Sequence, residues 1–160
     1  NDIRKFGRMW LLGNLESIFA KIGPEPFDEE LTPIDFYKKL ISKSRQLKPL
    51  LLDQSFIAGV GNIYSDEALF LAGLHPLRKS DSLSLTDATR LLQALRTVLS
   101  KGIDQKGASI DWVYRGGDFQ NYFQVYQQEN HPCPRCGNPI QKTKVGQRGT
   151  HFCPRCQKLD

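Results

Sequence analysis

Four cysteines in the last part of the chain carry the clearest chemical pattern of the sequence. They form two pairs, with two residues inside each pair and 16 residues between the pairs: Cys133, Cys136, Cys153 and Cys156. Two intervening residues let both sulfurs of a pair reach one tetrahedral ion, and the longer spacer can return as a hairpin. Four thiolates leave no open coordination position for water, so the pattern predicts one structural zinc ion (Zn2+). The alternatives are a redox dithiol or unrelated thiols.

The spacer between the two cysteine pairs contains the run Gly146-Gln147-Arg148-Gly149-Thr150, which is typical of a hairpin tip. An arginine on a rigid, metal-braced finger can reach the phosphates or a groove of a nucleic acid. Arg148 is therefore a candidate DNA-binding residue. The alternative is a turn arginine that contacts only solvent.

A second group of residues suits the binding of an anion. Lys48 precedes an apolar stretch, and Gly59 and Gly61 lead into a predicted helix that begins near Asn62. The first turn of a helix presents backbone N–H groups and the positive end of the helix dipole, which together favour a phosphate. We expect Asn62 either to cap the helix or to bind a phosphate, and Lys48 adds a positive charge. The alternative is a capped core helix without a binding role.

The elements that would position these groups are mostly helical. In chain order, the predicted helices are one from Thr32-Pro33 to about Ser44, a short buried one that begins at Leu50 after Pro49, one from about Asn62 to Ala72 that stops at Gly73, and one capped by Thr86-Asp87 and ended by Gly102. A strand or extended connector is predicted over 6–15, a long loop over about 107–123, and short strands from Gln124 onward. The fold class is thus a mainly α-helical domain followed by a small C-terminal β zinc ribbon.

Composition sets broad limits on the function. A length of 160 residues suits one domain or one domain with a small appendage, and a hydrophobic fraction of 39% is enough for a packed core. The formal charge of +5 favours a polyanionic partner such as nucleic acid. No apolar run has the length of a membrane span, and the polar opening does not resemble a signal peptide. We therefore expect an intracellular protein that does not enter a membrane.

Several segments together resemble the formamidopyrimidine-DNA glycosylases. The helix–two-turn–helix motif of that family is similar to Leu52-Asp53-Gln54, to 59–67 and to Gly73-Leu74-His75-Pro76. The domain junction of the family is similar to 2–7, and its zinc-finger segment is similar to 123–126 and 147–150. The resemblance covers essentially the whole chain in the right order. It implies an interdomain segment over 1–15, a helix–two-turn–helix DNA-binding domain over 16–123, and a zinc finger over 124–160.

The resemblance also implies which residues contact DNA. Lys48 and Asn62 would bind phosphates near a damaged base, with Tyr64 nearby, and Arg148 would contact the backbone from the finger. The remaining implied contacts come from the domain junction. Arg4 and Phe6 match positions that enter the duplex where the damaged base has left it, the arginine facing the orphaned partner base and the phenylalanine wedging the stack.

Other positions receive a role in the same way. The loop over 108–123 corresponds to the segment that caps a flipped 8-oxoguanine, although Trp112-Val113-Tyr114 could instead pack against another domain. Glu67 and His75 match family positions that we interpret as structural.

The chemistry of the family implies a missing part. Its members use the amine of an N-terminal proline as the nucleophile, assisted by a glutamate and a lysine, all in an N-terminal domain. No residue of this chain, which begins at Asn1, matches that nucleophile, so no catalytic residue is predicted.

The implied function is damaged-DNA binding within a base-excision repair glycosylase that removes oxidised purines and nicks abasic sites. The expected partners are double-stranded DNA with a damaged base or abasic site and the N-terminal catalytic domain, for a monomeric, cytoplasmic, nucleoid-associated protein of bacterial type. The alternatives are a fragment of an endonuclease VIII-type glycosylase, which prefers oxidised pyrimidines, and a non-catalytic DNA-binding adaptor.

Overall fold

The computed structural model describes residues 20–109 and 116–159. Within these ranges the chain forms α1 (Pro33–Ile41), α2 (Leu47–Leu51), α3 (Asn62–Ala72) and α4 (Leu85–Asp104), short 3-10 helices at Ser80–Ser82 and Phe119–Tyr122, and strands β1 (Gln141–Val145) and β2 (Arg148–Phe152). The predicted fold class, a mainly α-helical domain with a small β unit at the cysteines, is confirmed. The predicted connector over 6–15 lies outside the described residues.

The first helix begins where the sequence predicts and ends earlier. Thr32 accepts a hydrogen bond from the backbone N–H of Asp35 at 3.2 Å, and Pro33 occupies the first helical position, where no N–H is needed. The helix stops at Ile41 because the hydroxyl of Ser42 donates to the carbonyl of Lys39 and the chain then leaves the helical path. Helix α1 is therefore about one turn shorter than predicted.

The predicted start of α2 was wrong by one turn. The helix begins at Leu47, not at Leu50, and contains Pro49 as its third residue. A proline is tolerated in the first turn of a helix, because the N–H groups of that turn have no intrahelical acceptor. The earlier start brings Lys48 into the helix and directs its side chain to the interior.

Helix α4 differs from the prediction at both ends. Its cap is Ser84, not Thr86-Asp87: the Ser84 hydroxyl accepts from the N–H of Asp87 at 3.1 Å, and the Asp87 carboxylate accepts from the N–H of Ser84 at 3.2 Å. Gly102 does not end the helix, which continues to Asp104. A Cβ atom at Gly102 would lie 2.5 Å from the ring of Tyr64. Gly102 therefore serves the close approach of α3 to α4.

Two apolar clusters meet at α3. The larger one lies among the helices and includes Leu40, Leu50, Leu69, Leu92 and Phe119. The smaller one lies under the cysteines and consists of Phe70, Val125, Cys133, Ile140 and Cys153, of which Phe70 belongs to α3. Because α3 packs against both clusters, its central residues from Ser65 to Phe70 are all buried.

The two strands form an antiparallel hairpin in which Val145 is opposite Arg148. Its turn residues, Gly146 and Gln147, have φ angles of 54° and 62°. Positive φ at both central positions is the geometry of the two-residue type I′ turn, which suits the twist of a hairpin. A Cβ at Gly146 would come within 3.1 Å of the Pro49 ring, so the hairpin tip lies against the start of α2.

The base of the predicted loop over 107–123 is ordered by short-range contacts. Ala108 forms an isolated β-bridge with Asp118, and the Ser109 hydroxyl accepts from the N–H groups of Gly116 and Gly117. Residues 110–115 lie outside the described residues. In the part of the chain that the structure describes, no helix combines the length and apolarity required to cross a bilayer.

Candidate nucleic-acid interface

The turns that lead into α3 are held by Asp53. Its Oδ1 accepts from the N–H and the hydroxyl of Ser55 at 3.0 and 2.6 Å, and its Oδ2 lies 2.6 Å from Nη1 of Arg45. The hydrogen bond from the Ser55 hydroxyl, followed by the bond from Arg45, lowers the pKa of Asp53 to about 2. The carboxylate is therefore ionised at neutral pH and fixes the first of the two turns.

Gln54 holds the second turn. Its Oε1 accepts from the N–H of Gly59 at 2.8 Å, and its Nε2 donates to the carbonyl of Val60 at 3.1 Å. Gly59 has a φ of 76°, a conformation that favours glycine. The chain then enters α3 through Gly61, which has no side chain to cap the first turn. The amide groups of the first turn are thus presented as an anion site would require.

Asn62, the first residue of α3, bridges the helix and the hairpin. Its Nδ2 donates to the carbonyl of Gly149 at 3.2 Å. Its Oδ1 is buried and has no hydrogen-bond partner among the described residues. The carboxamide is therefore half committed to the hairpin, and the predicted phosphate contact of Asn62 stays a prediction.

Arg148 lies next to Gly149 on the hairpin and is exposed. The neighbouring strand adds two more exposed cations, Lys142 and Lys144. The bond from Asn62 to Gly149 places this basic hairpin beside the start of α3. The structure thus brings together two of the predicted DNA-binding residues, Asn62 and Arg148, on adjacent elements.

Lys48 does not occupy the surface position that a phosphate ligand requires. Its side chain is 0% exposed, and its ammonium donates to the carbonyl of Asn62 and the hydroxyl of Ser65 at 2.8 Å and to Asp66 Oδ1 at 2.6 Å. These three acceptors use all three of its N–H bonds. Burial lowers the pKa of Lys48, while the Asp66 carboxylate opposes that change. The structure gives Lys48 an internal role under the start of α3, and a direct phosphate contact stays a prediction.

Tyr64 is half-buried and packs inward. Its ring stacks on Phe119 at a centroid distance of 5.2 Å and lies against Gly102 of α4. Through Phe119 it fixes the base of the loop over 108–123 against α3. Its predicted place near the DNA stays a prediction, as do the roles of Arg4 and Phe6, which lie outside the described residues together with Trp112-Val113-Tyr114.

The four cysteine sulfurs form a compact cluster within 4.8 Å of one another. The Sγ atoms of Cys133 and Cys156 are 3.9 Å apart, and those of Cys136 and Cys153 are 3.5 Å apart. Four ligands at the usual Zn–S length of about 2.3 Å would be about 3.8 Å apart in a tetrahedron. The donor set and its spacing therefore fit one structural zinc ion.

The segment that carries the four cysteines, residues 124–159, is called the zinc module below. It contacts α3 along the whole length of the helix. The Glu67 carboxylate accepts from the N–H groups of Gln124, Val125 and Tyr126 at 2.8–3.1 Å. Near the end of the helix, Arg135, which lies between two zinc ligands, donates to the carbonyls of Phe70 and Leu71. Glu67 thus has the structural role that the sequence predicts.

One further docking residue, Gln157, was not predicted. Gln157 accepts from the N–H of Cys153 and donates to the carbonyl of Leu74, each at 2.9 Å. His75, expected to be structural, accepts from the N–H of Leu77 and packs its ring against Phe152. The sequence contained a signal only for the partners on α3, where the polar residues Asp66 and Glu67 occupy buried positions, and it contained none for Gln157.

Comparison with known proteins identifies both units. Residues 22–113 match the model of the formamidopyrimidine-DNA glycosylase H2TH domain, and residues 130–159 match the zinc finger found in FPG and IleRS. Among curated relatives, the formamidopyrimidine-DNA glycosylase of Heliobacterium modesticaldum is 46% identical over 98% of this chain and 60% of its own length. That of Thermomicrobium roseum is 47% identical over 99% and 57%.

Solved structures give the same result. The MutM (Fpg) protein of Thermus thermophilus superposes with a TM-score of 0.84 at 44% identity, covering 92% of this chain and 59% of that one. The Lactococcus lactis Fpg in complex with DNA containing an abasic site has a TM-score of 0.83 at 41% identity, covering 89% and 54%. The chain thus spans about 60% of the length of the curated relatives that it matches.

Proposed function

The chain belongs to the formamidopyrimidine-DNA glycosylase family, and from this membership we propose that it is the damaged-DNA-binding portion of a base-excision repair glycosylase. The observation that carries the proposal is the hydrogen bond between Asn62 and Gly149, which joins the start of α3 to the hairpin of Arg148. An uncapped helix start and an exposed arginine on adjacent elements suit one phosphate backbone. The Lactococcus lactis relatives, solved as complexes with abasic-site and Fapy-dG DNA, support the same ligand.

The proposal assigns DNA binding to this chain and base excision to the part of the relatives that it does not match. The full reaction would be removal of oxidised purines followed by nicking at the abasic site. A borohydride trapping assay on a duplex with 8-oxoguanine tests this division. We expect no covalent adduct with this chain alone and an adduct when the unmatched part of a relative is added. An adduct with this chain alone would contradict the division.

Binding is tested with a duplex that contains a stable abasic-site analogue. Fluorescence anisotropy should show binding that weakens as salt rises, because phosphate contacts release counterions. Asn62→Ala and Arg148→Ala should each lower the affinity roughly tenfold, and by a similar factor for different sequences, since phosphate contacts carry no base information. Lys38→Ala, which removes an exposed charge from α1, is the control and should change the affinity less than twofold. Binding that ignores salt would refute the proposal.

We further propose that the protein acts as a monomer in a bacterial cell and associates with the nucleoid. We also propose that the loop over 108–123 contacts the extruded nucleobase. The stacking of Phe119 on Tyr64 holds the C-terminal end of this loop against α3. Deleting 110–115 should then reduce the preference for damaged over undamaged duplex without changing the salt dependence. An unchanged preference would exclude the loop from lesion recognition.

A further inference from the structure

Asp66 of α3 joins three elements at one buried point. The residue is 1% exposed, and its two carboxylate oxygens face different partners. Oδ1 lies 2.6 Å from the ammonium of Lys48 in α2, and Oδ2 accepts from the backbone N–H of His151 in β2 at 2.9 Å. Nδ1 of His151 lies 3.3 Å from the same Oδ2.

The strand held by Asp66 is the strand that carries Arg148. His151 follows Arg148 by three positions, and the carbonyl of the intervening Gly149 accepts from Asn62. Strand β2 is thus fixed to α3 at two points directly after Arg148. The charge of Arg148 is also among the causes that lower the pKa of Lys48, after the larger effect of burial. The guanidinium is therefore within electrostatic range of the buried pair.

The geometry points to Asp66 as a positioning residue that sets Arg148 at the distance from the start of α3 at which one phosphate backbone contacts both. This inference rests on the proposed function. It adds the residue that sets the distance between the two proposed phosphate contacts, Arg148 and the start of α3. Asp66 is buried and contacts no DNA itself. It acts through β2, and Lys48 acts with it by balancing its charge inside the protein.

Only a carboxylate satisfies the neighbours of Asp66. Both partners, the Lys48 ammonium and the His151 N–H, are donors, so the side chain between them must accept on both sides. An asparagine has one accepting oxygen and one NH2 group, and in either orientation the NH2 group faces a donor. Asp66→Asn is therefore nearly identical in shape. Because the charged Lys48 ammonium is the stronger donor, it keeps the one accepting oxygen, and the anchor to the His151 N–H is the one that is lost.

Glu67 supplies a matched control on the same helix. It is also a buried acid that accepts backbone N–H bonds from the zinc module, but its donors are Gln124, Val125 and Tyr126, far in sequence from the hairpin. Glu67→Gln should loosen the docking of the module without releasing β2 near Arg148. A general weakening of the fold would affect both variants alike.

The test is a double-mutant cycle on the zinc-loaded chain with the abasic-analogue duplex. In the unmodified chain, Arg148→Ala should lower the affinity roughly tenfold, as one charge-assisted hydrogen bond would. In the Asp66→Asn background we expect a further loss of less than about twofold, and in the Glu67→Gln background again about tenfold. Of the two backgrounds, only Asp66→Asn should by itself lower the slope of log K against log salt by about 0.9, the value for one phosphate. A full tenfold loss in the Asp66→Asn background would overturn the inference.

A second variant addresses the case in which Asp66→Asn fails to fold because the buried Lys48 is left without an opposite charge. Lys48→Met with Asp66→Leu removes both charges together, a replacement that apolar packing commonly tolerates. It also removes the acceptor of the His151 N–H. This folded double variant should show the same loss of coupling to Arg148 and the same reduced salt slope, and a retained coupling would overturn the inference.

Hydrogen exchange of the backbone amides tests, without DNA, whether Asp66 holds β2. In Asp66→Asn, exchange of the His151 N–H should accelerate at least about tenfold, while in Glu67→Gln it should stay unchanged and the 124–126 amides should accelerate instead. Unchanged exchange at His151 in Asp66→Asn would overturn the inference. If the unmodified chain binds no duplex, the proposed function fails, and this measurement alone decides whether Asp66 holds β2.

Discussion

At Asn62, a single substitution should affect the stability of α3 and the affinity for DNA differently. It occupies the first position of α3, where a negative charge would interact favourably with the helix dipole, and it is also a proposed phosphate contact. The same charge that stabilises the helix would therefore repel the ligand. Arg148 offers no such comparison, because it is an exposed strand residue and does not lie at a helix start.

We expect Asn62→Asp to lower duplex affinity by more than tenfold while changing the free energy of unfolding by less than about 1 kcal/mol. The gain from the helix dipole, about 0.5 kcal/mol, would offset part of the lost bond to Gly149. Anisotropy and urea unfolding measure the two effects. The control is Thr86→Asp, which places the same charge in the first turn of α4 and should leave binding unchanged. Equal effects of the two variants on binding would contradict a local phosphate site at Asn62.

Asp53 gives a prediction that depends on pH. Its pKa is lowered to about 2 from the ordinary value of 3.8, so its contribution to stability is present above pH 4 and is lost as the pH falls toward 2. Its side chain is 30% exposed, so the contribution at neutral pH is about 1 kcal/mol after solvent screening.

Carboxyl 13C shifts should show Asp53 still ionised at pH 4, where an ordinary aspartate is about half protonated. Ser55→Ala should raise the pKa of Asp53 toward 3.8, because it removes the largest cause of the shift. Arg45→Ala should raise it less. An Asp53 that is half protonated at pH 4 in the unmodified chain would contradict the proposed turn geometry.

At the level of single residues, the sequence predicted the metal ligands and did not predict the buried partners. The spacing of the cysteines indicates their geometry directly, because two ligands with two residues between them can reach the same ion. Lys48 and Asp66 are 18 positions apart and belong to different helices. No local pattern joins them, so Lys48 was predicted as a phosphate contact and its pairing with Asp66 was not predicted.

The helices show which kinds of boundary a sequence defines. Helix α3 runs from Asn62 to Ala72 as predicted, because Gly61 and Gly73 leave little choice of where it begins and ends. The start of α4 was mispredicted because two signals competed there. Ser84 and Thr86 are both good caps, and only Ser84 has an acid three positions later that also reaches back.

Gly102 was mistaken for a helix end because its real reason is tertiary. Gly102→Ala should destabilise the chain by about 1–3 kcal/mol despite the higher helix propensity of alanine, since the new Cβ would lie 2.5 Å from the Tyr64 ring. Thermal unfolding followed by circular dichroism measures this. In a Tyr64→Leu background the penalty should shrink or reverse. The same penalty in both backgrounds would mean that Tyr64 is not the cause.

At the level of the whole molecule, α3 connects the metal to the proposed DNA site. Its start presents the proposed anion site, its middle carries the acids that hold the zinc module, and Arg135, from between two zinc ligands, donates to the carbonyls at its end. The sequence predicted a small module that depends on its metal. It did not predict that the module and the helices share α3, because that sharing depends on contacts more than 50 positions apart.

Removal of the metal should therefore destabilise α3 and not the finger alone. Cys136→Ser, or a strong chelator, should lower the free energy of unfolding by more than about 3 kcal/mol and should speed amide exchange in α3 as well as in the hairpin. It should also abolish the salt-dependent binding of duplex, because Arg148 and the start of α3 lose their common support. Hydrogen exchange at α1 provides the internal reference, since α1 packs against α4 and the Ser80–Ser82 helix. If α3 kept its full protection while the hairpin exchanged freely, the finger would be an independent appendage, and the contacts of Glu67, Arg135 and Gln157 would contribute little to holding the two units together.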